Sequence, residues 1–171
     1  MTFARKSLIA AICVTLSTVA VAQAASAKEK IAVFIGHKVN AKCSYRVLAV
    51  ENRLRELVSQ AGFDYVDAGT GTAPGQTALK ASVIEDWVTS EVPDAAGYIN
   101  IIYQSLGMMS FNYLHCSTNM TVNIGKVVDG RAMPGDMVNL SYLYAQRHQM
   151  WTDRMLNNMT TFVRSGLNHM K

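Results

Sequence analysis

The stretch "KIAVFIGHKVNAKCSYRVLAVENRLRELVSQAGFDYVDA", residues 30–68, changes its apolar period twice. "KIAVFIG" (30–36) is a short run of branched side chains closed by a glycine, which reads as a buried first strand. "HKVNAKC" (37–43) reads as a loop. From Ser44 to Gly62 the period lengthens. Val47, Val50, Leu54, Leu57, Val58 and Ala61 recur every three or four residues, the stripe of an amphipathic helix. Ser44 is a candidate N-cap, and Gly62 a C-terminal stop. Glu51 and Arg55 sit four residues apart on the polar side. "FDYVDA" (63–68) returns to alternation and reads as a second strand.

The rest of the chain extends this alternation of elements. "AGTGTAPGQT" (68–77) is glycine-rich but lacks the Lys-Ser/Thr ending of a phosphate-binding loop. A second helix is expected over 77–91, with Leu79, Val83, Ile84, Trp87 and Val88 on one face and Pro93 beyond its end. "AGYINIIYQS" (96–105) reads as a third strand. Two more strands are expected at 108–117 and 118–129. In the second, Met120, Val122 and Ile124 share one face, Thr121 and Asn123 the other, and Gly125 is a candidate bulge. Asp129-Gly130 is a tight-turn signal. Asp136 or Asn139 caps a long helix reaching about Asn168, whose stripe holds Leu140, Leu143, Tyr144, Trp151, Met155, Met159, Phe162 and Val163. Early strand–helix–strand units followed by antiparallel hairpins give an α/β fold of mixed α+β character. A single domain over residues 28–171 would hold a mixed sheet, two helices after the first strands and a long C-terminal helix.

The N-terminus sets the expected compartment. Arg5 and Lys6 precede a nearly charge-free run from Leu8 to Val21, followed by Ala22-Gln23-Ala24 and Ala25-Ser26-Ala27. This is the three-part layout of a secretory signal peptide over residues 1–27, cleaved after Ala24 or Ala27. Its apolar run is shorter than the roughly 20 residues a membrane span needs. Cys13 follows Ile12 in mid-run, so it does not fit a lipidation site. The alanine-rich cleavage region has a bacterial look, which makes the periplasm the expected location. The remainder, about 145 residues, suffices for one ordinary domain. Losing Arg5 and Lys6 lowers the formal net charge from +4 to +2. The charges are interspersed, with no basic block, so no nucleic-acid partner is expected. No further stretch is apolar enough to span a bilayer.

Two cysteines then remain, Cys43 and Cys116. In an oxidising compartment a pair of cysteines is read first as a disulfide. A bridge closing so long a loop contributes about 3–5 kcal/mol in the chain-entropy picture. A catalytic thiol is disfavoured because there is no C-x-x-C motif. The alternative is a soft-metal site for copper, with His115, Cys116, Met108 and Met120 as ligands. Against it stands the ordinary use of methionine as core filler. The four histidines show no H-E-x-x-H spacing, and no serine sits in a glycine-flanked elbow. Asp64 and Asp67 make no evident catalytic pair.

Four pieces carry a resemblance: "KIAVFIG" (30–36), "VENRLRELVSQAGFDYVDA" (50–68), "AAGYINIIYQS" (95–105) and "TVNIGKVVDGRAM" (121–133). In this order they resemble the small periplasmic α/β domain of the N-terminal part of the TolB translocation protein. Related domains occur in curli-secretion lipoproteins, flagellar assembly proteins and penicillin-binding-protein activators. The chain departs from that pattern in lacking an Asn-Arg-Thr-like turn after the first strand and a lipidated cysteine. The resemblance implies no catalytic residue and no cofactor. It implies a non-enzymatic interaction or accessory protein whose partners belong to an envelope assembly or secretion apparatus. A periplasmic small-ligand or copper-binding protein is the alternative.

Overall fold

Residues 27–39, 47–72, 81–110, 113–145 and 150–171 are described in a computed structural model of the chain. The first strand, expected over 30–36, is β1, Lys30–Val39, which continues through His37, Lys38 and Val39 because they pair with β3, and the helix after it is α1, Val47–Gln60. Ser44 and Cys43 lie outside the described residues. Gly62 does stop α1. It adopts φ +89°, its N–H donates to the Ser59 carbonyl at 3.0 Å, and the Phe63 N–H donates to the Val58 carbonyl at 3.1 Å. That pair of bonds is a Schellman motif, which satisfies carbonyls the helix itself leaves open. β2, Asp64–Thr72, continues four residues into the stretch read as a glycine-rich loop, where it pairs with β1, and α2, Ala81–Glu91, follows, with residues 77–80 of the expected helix outside the described residues.

Three elements differ from the sequence reading. β3 runs Ala95–Ser110 and β4 runs Tyr113–Val128, so the three strands expected at 96–105, 108–117 and 118–129 are two long antiparallel strands, with the middle one divided between them. Residues 111 and 112, inside a segment read as continuous strand, lie outside the described residues. Gly125 makes no bulge: the β3–β4 register runs unbroken from Gly97↔Lys126 to Ser110↔Tyr113. Asp136–Ala145, read as the start of the last helix, is strand β6, and α3 begins only at Met150 and ends at Met170. In "DMVNLSYLYA", Leu140, Leu143 and Tyr144 fit a helical stripe, but Val138 and Leu140 also fit a period of two. Pairing with β4 decides the contest, because Val138 lies beside Val122 and Leu140 beside Met120, extending the core rows by one strand.

The sheet order is β2-β1-β3-β4, with β6 on the far side of β4. β5, Arg131–Ala132, pairs with the end of β4 through Asp129 (φ +53°) and Gly130 (φ +73°). Two positive φ values in a two-residue loop are the signature of a type I′ hairpin turn, as Asp-Gly leads one to expect. β2-β1-β3 is parallel and β3-β4-β6 antiparallel, so the chain is a single mixed α/β domain.

Alternation sorts the two sheet faces. On one, Ile31, Val33 and Ile35 of β1, Ile99 and Ile101 of β3, and Met120, Val122 and Ile124 of β4 meet α1 and α3. α1 contributes Val50, Leu54, Leu57 and Val58; α3 contributes Met155, Met159, Val163 and Leu167, all buried. α3 can approach β4 closely because it presents Gly166 there. On the other face Ala32, Ala95 and Tyr98 meet Ile84, Val88 and Val92 of α2 and its end. Trp87 fastens this layer: its indole N–H donates to the Ala68 carbonyl at 2.9 Å and its ring lies 5.2 Å from that of Phe34. α2 is short and reaches from the parallel strands to the β4–β5 hairpin, where the Thr89 hydroxyl donates to the Gly130 carbonyl at 3.1 Å. No described helix covers the rest of the antiparallel strands on this face.

Candidate functional site

The part that no described helix covers is built by register. Three rows cross β3, β4 and β6. The first is Asn100, Asn123 and Met137; the second Ile102, Thr121 and Asn139; the third Gln104, Asn119 and Ser141. These are the alternate positions opposite the core rows, so the same period of two that buries Ile101 and Val122 presents them together. Seven of the nine side chains carry an amide or a hydroxyl, and none is charged. Asparagine is a poor strand former, yet four of the nine positions hold it. A strand that gives up propensity repeatedly on one face marks a place where something other than folding selects the residues.

Ile102 forms a buried floor, and Asn119, Asn139, Ser141 and Met137 are exposed around it. The depression holds about 430 Å³, within the range of small-molecule and side-chain pockets. The Thr121 hydroxyl donates to Oδ1 of Asn139 at 2.7 Å, which fixes that amide with its NH₂ free to point elsewhere. One row deeper, Asn123 is buried and its Oδ1 has no hydrogen-bond donor among the described residues. Beside it the Tyr98 hydroxyl donates to the Met133 carbonyl at 2.9 Å. Burial pushes the Tyr98 phenol up, while a hydrogen bond with Asn123 pulls the other way. Gly125 makes this arrangement possible, since a Cβ there would stand 2.6 Å from the Tyr98 hydroxyl. An array of paired donors and acceptors without net charge recognises neutral polar surface, such as peptide backbone or uncharged side chains.

Met108 pairs with His115, and Cys116 with Gly107 and Tyr144. Since strand positions alternate, the backbone puts Met108 and His115 on one sheet face and Cys116 and Met120 on the other. The side chains of Met108, His115 and Cys116 lie outside those described, so this placement is by strand position alone. Among the described residues no group of three or more His, Cys, Asp or Glu converges as a metal site. Cys116 stands two positions beyond Thr118, in the row that holds Ser105 and Val39, the last residue of β1. The connection that carries Cys43 leaves β1 at this end of the sheet. Ala24 and the rest of residues 1–26 lie outside the described residues. Sequence reasoning noticed Thr121 and Asn123 on one face but missed the array, because a helix was expected where β6 supplies its third column.

No known family model matches the chain, and no curated protein does. Solved structures similar to it are small bacterial proteins. The hypothetical protein CT253 from Chlamydia trachomatis shares 11% identity and a TM-score of 0.48 over 82% of this chain and 98% of that one. The lipoprotein GNA1162 from Neisseria meningitidis shares 11% identity and a TM-score of 0.44 over 78% and 99%. The LpoB C-terminal domain from Salmonella enterica shares 12% identity and a TM-score of 0.36 over 68% and 86%. At such identities, and with TM-scores below 0.5, these likenesses carry no shared activity. Among the described residues no helix is long and apolar enough to cross a membrane.

Proposed function

We propose that this chain is an exported periplasmic interaction protein without catalytic activity of its own, supporting an envelope assembly or secretion apparatus. The observation that carries the reading is the uncharged amide and hydroxyl array on the part of the sheet that no described helix covers, with Asn119, Asn139 and Ser141 exposed on it. Such a face suits a protein surface of neutral polar character, held by many modest hydrogen bonds around a shallow depression. The signal-like N-terminus supports the location, and the sequence resemblance to the TolB N-terminal domain supports the kind of machine.

In-cell crosslinking followed by affinity capture tests the proposal. The wild-type chain should recover envelope-machinery proteins, and Asn119→Lys, which places a charge on the exposed array, should lose them while folding normally. Recovery of none by the wild-type chain, together with a substrate turnover by the purified protein, would contradict it. Stoichiometric copper in periplasmic preparations, with two free thiols, would instead favour the small-ligand and metal alternative.

A further inference from the structure

The two edges of the sheet are built differently. At the β2 edge, Asp64 and Asp67 stand on the strand, and the register with β1 slips between Val33 and Phe34. Charges and irregularities of this kind are how proteins keep a sheet edge from pairing with another chain. At the other edge, β6 runs ten residues in unbroken register with β4. From Met137 to Ala145 it contains no charge, no proline and no glycine. Its outer side pairs with no described strand. Met137, at 56% exposure, is among the most exposed large apolar side chains described.

We infer that β6 pairs with β6 of a second copy of this chain, antiparallel and about a twofold axis through Leu140, joining two sheets into one. The strand's own pattern argues for this occupant. A twofold axis perpendicular to the sheet keeps each face on its own side, so even-numbered positions meet even-numbered ones. Leu140 then lies beside its own copy, which extends the half-buried aliphatic row of Val138 and Leu140 across the joint. Asn139 comes opposite Ser141, and Met137 opposite Leu143. Asp136, the one charge of β6, falls opposite Tyr144 and far from its copy, so no like charges meet. A charged foreign strand would set its charge against this neutral edge. The joint is small compared with the roughly 1,600 Å² of a standard stable interface, so the dimer is reversible and concentration-dependent. The inference does not rest on the envelope partner.

Sedimentation equilibrium of the purified chain, from about 1 μM to about 1 mM, reads the outcome. The wild-type protein should pass from one to two chain masses. Asn139→Lys combined with Ser141→Lys sets lysines opposite one another at the joint and should weaken dimerisation by about tenfold or more. Asn119→Lys, on the same face but one strand inward, should dimerise like the wild type. Circular dichroism checks that each variant is folded, and a single Ser141→Lys replaces the double variant if that one is not. A wild-type chain that stays monomeric throughout overturns the inference, as does a dimer that folded edge-lysine variants leave unchanged.

Discussion

Tyr98 shows how one side chain joins the parallel and antiparallel halves. It is buried beneath α2, crosses over Gly125 of β4, and ends on the Met133 carbonyl. Tyr98→Phe leaves that carbonyl without its donor and should cost about 1–3 kcal/mol, measured by urea unfolding. Gly125→Ala should destabilise as well, since its new Cβ meets the phenol rather than open space. The glycine was visible in the sequence, but its reason was not: a gap made for a tyrosine 27 positions away leaves no local pattern. Tyr65 offers a pH-dependent case. Burial pushes its phenol up to about 12, against the opposing effect of the Arg55 guanidinium 4.1 Å above the ring. The unfolded phenol ionises near pH 10 while the folded one stays neutral. Between about pH 10 and about pH 12 the native state therefore holds more protons, and stability falls as pH rises. Below that window this group adds no pH dependence. Tyr65→Phe should flatten the slope in that interval when unfolding midpoints of the two proteins are compared.

Among the elements, α3 depends on how near it can come to β4. A Cβ on Gly166 would stand 2.7 Å from Ile124. Gly166→Ala gains up to about 1 kcal/mol of helix propensity, whereas overpacking a core costs about 1–3 kcal/mol. The packing effect should win, so thermal unfolding of Gly166→Ala should come earlier than that of the wild type. Elements whose residues obey one period were legible in the sequence: α1, with Val50, Leu54, Leu57 and Val58, and the apolar part of β1 stand where the pattern put them, while residues 37–39, read as loop, join β1 through pairing with β3. β6 was not, because "VNLSYLYA" satisfies both periods and only its neighbour β4 chooses between them. The same ambiguity hid the open array. The placement of Cys116 near the end of β1 supports one more expectation: non-reducing peptide mapping of the exported chain should find Cys43 joined to Cys116. Two free thiols would remove that bridge from the account.

Across the whole molecule, coverage of the sheet is lopsided. α1 and α3 cover one face, α2 covers part of the other, and the part that no described helix covers carries nine uncharged side chains in three rows. A fold that needed only solubility there could have used lysine and glutamate, which protect a sheet and keep proteins apart. The account's central claim is that this part of the face receives the envelope partner. A photoreactive residue placed in the cell at Asn119 or Asn139 tests it most directly, with Arg53 on α1 and Thr161 on α3 as comparison sites. The account predicts adducts with envelope-machinery proteins from the two sheet positions and not from the helices. Adducts from the helix positions, with none from the sheet, would contradict it.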